Sequence, residues 1–447
     1  MPREHLLKIG VSGIRGVVGE FLTPGLACAF GQAFGTYVGR GKVLVGRDTR
    51  ATGEMLQHAV QCGLLSAGCE VLDLGILPTP TIQMYVDASR ARGAIALTAS
   101  HNPPEYNALK LFNSRGLFFN HYERSELIDL YHQSEFYEAG NEEIGEVRKE
   151  VDAARLLHIQ RVVRQLIWPA SEAAISGRLD AVNGAGGNDA GISGVPWVRP
   201  VAISIDPACH FAAKPKPETL GEVAQLVVDR GCDIGFAQDP DGDRLAVIDE
   251  TGKVLENDDV LALVVQAALE RLQGDVVVNL TTSSVIDDIA GARGRRVYRT
   301  PVGEANVVER IQAVNAAIGG EGSSGGIIFP AVHLCRDSYS GMAMYLDRMA
   351  ETGLSISQLA NRLPRYHRKL GKVAFEHGRL GPLTRDLKAS FPDATADQTD
   401  GLKLIWPDKW IHVRASNTEP LLRFSAEGKT SEAVEQLYKR VEELLRT

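Results

Sequence analysis

The chain lacks the cysteine patterns of a disulfide scaffold or a zinc site. Its six cysteines are scattered, none lies in a C-x-x-C pair, and no cluster of histidine and cysteine has zinc-ligand spacing. Scattered free thiols are typical of a reducing compartment. The first residues lack an apolar signal core, and apolar stretches reach only about ten residues, too few to span a membrane. These absences predict a cytoplasmic protein without a membrane partner.

The chain also lacks an excess of basic residues. Its formal net charge is −8 and its pI is near 5.8, which argues against a nucleic-acid partner because such proteins normally present a basic face. Its 447 residues, with 44% hydrophobic and 23% charged content, are those of a globular protein with roughly three or four domains. A phosphate substrate would require local positive charge on this acidic protein.

Four stretches share one pattern, in which a short apolar run, predicted to be a buried strand, is followed by a polar or glycine-rich loop. Ligands of α/β sheets lie at the carboxyl ends of strands. The pattern therefore predicts four domains whose loops face one central cleft. The four stretches are 93–102, 232–243, 316–326 and 411–420.

Strands and helices alternate between these loops. Short β-branched or apolar runs predict strands at 42–46, 70–74 and 275–280. Helices are predicted at 53–67, from Pro78 onward, at 260–272 behind the cap 257–259, and at 431–447.

The first loop, Thr98-Ala-Ser-His-Asn-Pro103, carries a serine that could be a nucleophile. No G-x-S-x-G elbow surrounds Ser100, which argues against a lipase-like triad. His101 could orient the hydroxyl or contact phosphate oxygens, and Lys110 could be an acid/base if cationic neighbours lower its pKa. The alternatives are a turn serine and a solvated lysine.

The second loop, Asp239-Pro-Asp-Gly-Asp-Arg244, places three carboxylates at alternate positions. Such oxygens can converge on one divalent cation, and Mg²⁺ accepts a few carboxylates together with substrate oxygens. The alternative is a solvated acidic turn, but three carboxylates repel one another and Arg244 is the only local cation. Together with the serine, the loop predicts metal-assisted phosphoryl transfer.

Three further loops are weaker signals. The glycine-rich 319–326 offers Glu321 and two hydroxyls to a sugar, and Arg414 with Arg423 and the polar residues between them could clamp a dianion. The segment 10–16 carries Arg15 among glycines, as phosphate-approaching loops do. Each could instead be an ordinary surface turn.

Taken together in this order, the motifs resemble the α-D-phosphohexomutase superfamily, and the resemblance spans the whole chain. It implies an α/β fold with a four-domain heart-shaped architecture: three α/β domains and a smaller C-terminal α+β domain around a central cleft. The implied domains are 1–150 with the phosphoserine loop, 151–252 with the metal loop, 253–367 with the sugar loop and 368–447 with the phosphate loop.

The resemblance further implies a mutase that moves phosphate between O6 and O1 of a hexose through a phosphoserine and a 1,6-bisphosphate. Mg²⁺ would be the cofactor, hexose 1,6-bisphosphate the activator, and the protein a monomer or homodimer. Phosphorylated Ser100, Asp239, Asp241 and Asp243 would hold the metal. Implied catalytic residues are Ser100, Lys110, His101 and Arg15, and implied substrate ligands are Arg244, Glu321, Ser323, Arg414, Ser416, Asn417, Thr418 and Arg423.

The sugar loop departs from the pattern Gly-Glu-x-Ser-Gly-His of many members, because it is one residue longer and lacks the histidine. This leaves either Ser323 or Ser324 as the sugar contact. Ala108 stands where many relatives have glycine. Both departures resemble an archaeal-type branch and favour glucosamine phosphate as substrate. The alternatives are mannose or glucose phosphate, a metal-dependent sugar-phosphate phosphatase, and a non-catalytic binder.

Overall fold

The computed structural model describes residues 8–10, 13–166, 175–182, 184–186, 219–375, 380–415 and 421–446. Residue contacts divide the chain into two compact units. The first contains residues 1–256 and 325–361, and the second contains residues 257–324 and 362–447.

The first unit begins with a seven-stranded mixed sheet in the order β1-β2-β6-β5-β3-β4-β7. Parallel pairing joins β3 to β4 and β5, while β6 runs antiparallel to β5 and β2. Every residue of β5 is buried, so this strand crosses the core and delivers the serine loop at its carboxyl end. The strands are β1 Lys8–Gly10, β2 Gly13–Val17, β3 Gly41–Arg47, β4 Cys69–Ile76, β5 Gly93–Leu97, β6 Tyr106–Phe112 and β7 Val147–Lys149.

Five helices accompany this sheet. The first begins after Thr23, whose hydroxyl accepts from the Leu26 amide at 3.2 Å, and has proline at its first position, where no backbone donor is needed. The first two helices pack closely because a Cβ on Gly63 would lie only 2.0 Å from the Cys28 carbonyl oxygen. The helices are α1 Pro24–Tyr37, α2 Gly53–Ser66, α3 Thr79–Ala88, α4 His121–Gln133 and α5 Val151–Val163.

The rest of the first unit builds a hairpin that carries the carboxylate loop. β9 and β10 pair antiparallel, with Gln238 opposite Leu245, and β8 pairs parallel to β9. Segment 325–361 packs here, since the Leu245 amide donates to the Gly325 carbonyl at 3.0 Å. The elements are β8 Gly177–Asp180, α6 Gly221–Asp229, β9 Ile234–Gln238, β10 Leu245–Asp249, β14 Gly326–Ile328, α10 Ser338–Thr352 and α11 Ile356–Ala360.

The second unit joins a parallel sheet, in which β11 lies between β12 and β13, to an antiparallel sheet of order β15-β19-β18-β17-β16. Trp410 Nε1 donates to Ser284 Oγ at 3.0 Å, which ties the two sheets together. The elements are α7 Asn257–Arg271, β11 Val276–Asn279, α8 Val285–Gly291, β12 Val297–Thr300, α9 Glu304–Val314, β13 Ile318–Glu321, β15 His367–Ala374, α12 Leu380–Ser390, β16 Thr395–Asp397, β17 Leu402–Ile405, β18 Lys409–Ala415, β19 Leu421–Gly428 and α13 Ser431–Arg446.

The local elements predicted from sequence are confirmed as β3, α2, β4, α3, β11, α7 and α13. One boundary differs, because α7 begins at Asn257 rather than after residues 257–259. The Asp258 carboxylate in its first turn accepts from the Ser283 amide at 2.9 Å, so it contacts a neighbouring loop. Within the described ranges, no helix has both the length and the apolar character needed to cross a bilayer.

Candidate active site

Three buried carboxylates lie together in the loop between β9 and β10. Asp239, Asp241 and Asp243 are each at most 1% exposed, and each offers an oxygen within 4.8 Å of the others. The turn is shaped by Asp239, whose Oδ1 accepts from the amides of Asp243 at 3.2 Å and Arg244 at 3.1 Å. Gly242 takes a left-handed φ of 68°, which glycine adopts without strain. The carboxylates therefore converge rather than spread into solvent.

The residues present fit a divalent cation. Among the described residues, Asp241 and Asp243 each have one buried carboxylate oxygen, Oδ1, without a hydrogen-bond partner. Leaving such an oxygen unpaired in the interior is costly, and a hard cation would satisfy it. The donor set is all oxygen, which is the set that Mg²⁺ and Ca²⁺ prefer.

The Ser100 hydroxyl reaches this carboxylate loop from the end of β5. Its Oγ donates to Asp239 Oδ2 at 2.8 Å and lies 3.2 Å from His101 Nδ1. The residue is 4% exposed and has a left-handed φ of 51°, an uncommon conformation for a residue with a side chain. The fold thus brings together the serine and the carboxylates, which the sequence separates by 139 positions.

Cations from distant parts of the chain surround the carboxylates. Lys110 on β6 contacts Asp241 and lies 3.6 Å from Asp243 Oδ2. Arg244 Nε lies 3.6 Å from Asp239 Oδ2. Sequence reasoning found Arg244 as the only local cation, whereas folding adds Lys110 and others.

Burial and neighbouring charges shift the ionisation of this cluster in opposite directions. Burial raises the pKa of Asp239 well above its ordinary value, and the carboxylates of Asp241 and Asp243 add to the rise. Burial would raise the pKa of Asp241, but the Lys110 ammonium, together with a hydrogen bond from Asp239 and the charge of Arg336, holds the pKa of Asp241 below its usual range. A further positive charge near Asp239 would favour its ionised form.

Lys110 is fully buried among these carboxylates. Burial alone would lower its pKa, but Asp241 and Asp243 outweigh it, so the pKa of Lys110 is raised. Lys110 is therefore surrounded by carboxylates and not by the cationic neighbours that would lower its pKa and make it a base. In the ammonium form it can donate a proton or stabilise negative charge.

Arg15 lies on β2, opposite Ala108 of β6 in register, and is half-buried. Burial lowers the pKa of its guanidinium, and the Asp241 carboxylate opposes that shift. Arg15 therefore belongs to the same electrostatic environment as the carboxylate loop.

Sequence reasoning missed Arg336, which binds the carboxylate loop directly. Its Nη2 donates to Asp243 Oδ2 at 2.6 Å, and the following Ser338 donates to the Gly242 carbonyl at 2.6 Å. Both residues stand at or just before the start of α10. The sequence signal available for a functional role of these residues was their position after a short apolar run. Their contact with a loop about a hundred positions earlier arises only from tertiary packing.

In the second unit, Glu321 ends β13 and is 4% exposed. Its Oε1 accepts from Asn279 Nδ2 at 2.9 Å and from the Gly303 amide at 2.8 Å. The two candidate serines differ, because the exposed Ser323 lies 3.0 Å from the Thr281 hydroxyl while Ser324 donates to the Glu321 carbonyl.

Arg414 and Arg423 face each other in register on β18 and β19. Arg414 Nη1 donates to Asp400 Oδ2 at 3.1 Å, and the same oxygen accepts from the Val302 amide at 3.0 Å. Asp400, also missed from sequence, therefore connects Arg414 to residues 302–303, next to the amide that holds Glu321. The predicted ligands Ser416, Asn417 and Thr418 lie outside the described residues.

A serine hydroxyl beside buried carboxylates and several cations is an arrangement that suits a phosphotransferase. Four family models match the chain. They are described as phosphoglucomutase/phosphomannomutase alpha/beta/alpha domain I at 6–138, domain II at 179–252, domain III at 256–366 and the C-terminal domain at 381–444.

Full-length relatives agree with these matches. A phosphoglucomutase/phosphomannomutase of Thermococcus kodakarensis is 37% identical over 95% of each chain. A probable phosphoglucosamine mutase of Methanopyrus kandleri is 34% identical, covering 96% of this chain and 95% of its own. A solved phosphoglucomutase/phosphomannomutase family protein from Burkholderia thailandensis has a TM-score of 0.87 at 25% identity, covering 100% of this chain and 98% of its own.

The chain belongs to the phosphoglucomutase/phosphomannomutase family. It is a phosphohexomutase, an isomerase that moves a phosphoryl group within a hexose phosphate. The four-domain α/β organisation expected from the motifs is confirmed by the four domain matches.

Replacing Asp243 by Asn is expected to weaken Mg²⁺ binding by about tenfold or more, because one of the three carboxylates that could bind the cation is lost. The measurement is the rise in unfolding temperature on titration with Mg²⁺, which reports binding to the folded state without any turnover. The control is Asp229→Asn at the exposed end of α6. An Asp243→Asn protein that responds to Mg²⁺ as the parent does would contradict the metal assignment.

Replacing Asp400 by Asn is expected to raise KM for the hexose phosphate about 10- to 150-fold with little change in kcat. The reason is that Arg414 loses a charge-assisted hydrogen bond, a loss of about 1.5–3 kcal/mol. Steady-state kinetics separate the two constants, with the exposed Asp408→Asn as control. An unchanged KM would show that Asp400 does not position a substrate-binding arginine.

Proposed function

We propose that this phosphohexomutase interconverts the 6-phosphate and 1-phosphate of glucosamine through a phosphoserine at Ser100. The observation that carries the mechanism is the Ser100 hydroxyl 2.8 Å from Asp239, inside a ring of carboxylates and cations. The names of full-length relatives, several of which are probable phosphoglucosamine mutases, support the choice of sugar. The name of a 37% identical relative supports glucose or mannose phosphate as the second candidate.

In the proposed first half-reaction, a hydroxyl of the bound hexose phosphate attacks the phosphorus of phosphoserine. The bond between phosphorus and Ser100 Oγ breaks, a bond to the sugar oxygen forms, and a hexose 1,6-bisphosphate results. The attacking hydroxyl loses one proton and the Ser100 oxygen gains one. In the second half-reaction the other phosphoryl group returns to Ser100, which leaves the isomeric monophosphate and the phosphoenzyme.

The site residues are given distinct roles in this proposal. Lys110, held as an ammonium by its carboxylate neighbours, gives its proton to the leaving Ser100 oxygen and, neutral as a result, takes the proton of the attacking hydroxyl, while His101 orients the serine oxygen. Arg15 and Arg244 neutralise charge on the transferring phosphoryl group. Asp239, Asp241 and Asp243 would hold Mg²⁺ together with a phosphoserine oxygen, and the bound ion would supply Lewis-acid stabilisation of phosphoryl charge.

The part of the substrate that does not react is proposed to bind a separate group of residues. Glu321 and Ser323 are proposed to bind sugar hydroxyls, with Ser323 preferred over Ser324 because its side chain is exposed. Arg414, Ser416, Asn417, Thr418 and Arg423 are proposed to clamp the distal phosphate. One such set must accept both orientations of the bisphosphate, since either phosphate becomes the distal one.

The proposal keeps the domain boundaries 1–150, 151–252, 253–367 and 368–447. Each family match falls inside one of these ranges. It also includes Mg²⁺ as the cofactor, hexose 1,6-bisphosphate as the activator, a cytoplasmic location, and a monomer or homodimer as the working form.

The test is phosphorus NMR of the protein with Mg²⁺ and a trace of glucose 1,6-bisphosphate. The 1-phosphates of glucosamine, N-acetylglucosamine, mannose and glucose are offered in turn. Conversion to 6-phosphate is expected to be fastest with glucosamine. A faster conversion of mannose or glucose would overturn the choice of sugar, and free phosphate in place of an isomer would indicate a phosphatase.

Ser100→Ala is expected to abolish nearly all conversion in this assay, because no hydroxyl remains to carry the phosphoryl group. Ser125→Ala, on the exposed face of α4, is the matched control and should retain full activity. Substantial conversion by Ser100→Ala would contradict a phosphoserine mechanism.

A further inference from the structure

The loop that carries Ser100 is gathered around one buried arginine. Arg50 is 2% exposed and follows the end of β3. Its five N–H groups are all engaged: Nε donates to the Asp48 carboxylate at 3.1 Å, and the other four donate to backbone carbonyl oxygens of the serine loop and of the first residue of β6. These acceptors are the carbonyls of Ser100, Asn102, Pro103 and Tyr106, at 2.6, 2.7, 2.7 and 2.9 Å.

A second set of hydrogen bonds holds the backbone amide of the same serine. Asp48 Oδ2 accepts from Arg50 Nε and from Thr98 Oγ1, the latter at 2.6 Å. The Thr98 hydroxyl oxygen in turn accepts from the Ser100 amide at 3.0 Å. The backbone N–H and C=O of Ser100 are thus both held by hydrogen bonds, the C=O directly by the Arg50 guanidinium and the N–H through Thr98 by the Asp48 carboxylate.

This fixation acts on a conformation that a serine does not favour. The φ of 51° at Ser100 is left-handed, which costs about 1–2 kcal/mol for a residue with a Cβ. Such strain persists only where the surroundings over-determine the backbone. The conformation is the one in which Oγ points at Asp239 Oδ2, so the surroundings that impose it also aim the nucleophile.

We propose that Arg50 is a positioning residue for phosphoryl transfer, which sets the direction of the Ser100 oxygen without touching the phosphoryl group. The full use of its five N–H groups within the protein argues against a phosphate-binding role. The inference rests on the proposed function of Ser100. It adds that catalysis also requires an arginine at a position 50 residues away in sequence. Lysine cannot replace this arginine, because one ammonium has three donors and no planar fork.

The test compares Arg50→Lys with Arg40→Lys, a surface arginine of the same domain that pairs with the exposed Glu143. We expect Arg50→Lys to lower kcat, counted per enzyme molecule that can be phosphorylated, about 10- to 100-fold. KM should stay within about twofold of the parent value. The reason is that misplacing a reacting atom by about 1 Å can lower the rate about 10²-fold. The phosphorylatable fraction is counted by intact mass after incubation with glucose 1,6-bisphosphate. Arg40→Lys should match the parent in both constants.

A purely structural role would instead reduce the phosphorylatable fraction and leave kcat per competent molecule unchanged, which would overturn the proposal. If Arg50→Lys does not fold, Thr98→Val is used instead, because it removes the acceptor of the Ser100 amide with little change of shape. A Thr98→Val protein with the parental kcat would also overturn the proposal.

If the parent isomerises no hexose phosphate, the proposed function fails. The rate at which glucose 1,6-bisphosphate phosphorylates Ser100 in parent and variant then decides the positioning role separately.

Discussion

Three carboxylates buried in one five-residue loop are the constraint on which the first unit depends. Asp239, Asp241 and Asp243 together would repel strongly in a medium of low dielectric. A phosphoserine beside them would add about −1.5 to −2 further charges at neutral pH. Such a cluster is tolerable only where cations are brought to it, so the surrounding fold can be understood as the means of delivering positive charge.

The compensating charges come from separate elements of the chain. Lys110 lies on an interior strand of the first sheet. Arg336 lies in segment 325–361, which belongs to the first unit although it stands between the two parts of the second unit, 257–324 and 362–447, in sequence. A protein with a net charge of −8 thereby gathers cations around its buried carboxylates. The same arrangement leaves carboxylate oxygens unpaired within the described residues, where a divalent cation fits.

The sequence predicted the strands, the helices and the loops at strand ends because hydrophobic periodicity and turn residues are local signals. It also proposed a nucleophile in one loop and a metal site in another, because the residues within each loop are adjacent in the chain, and the structure brings Ser100 of the first loop within 2.8 Å of Asp239 of the second. It could not find Arg50, Arg336 or Asp400, whose partners are tens of positions away and whose surroundings are unremarkable as sequence. It also could not predict that carboxylates would surround Lys110 and raise its pKa, because the charges around a buried group depend on packing.

In the proposed mechanism the transferred phosphoryl group resides on Ser100 between turnovers. A single-turnover experiment tests this with protein whose serine carries a radiolabelled phosphoryl group, mixed with an excess of unlabelled hexose 1-phosphate. We expect the label to pass to the hexose phosphates at the rate of catalysis, without a burst of labelled inorganic phosphate. Label that stays on the protein while isomerisation proceeds, or that leaves only as inorganic phosphate, would contradict it.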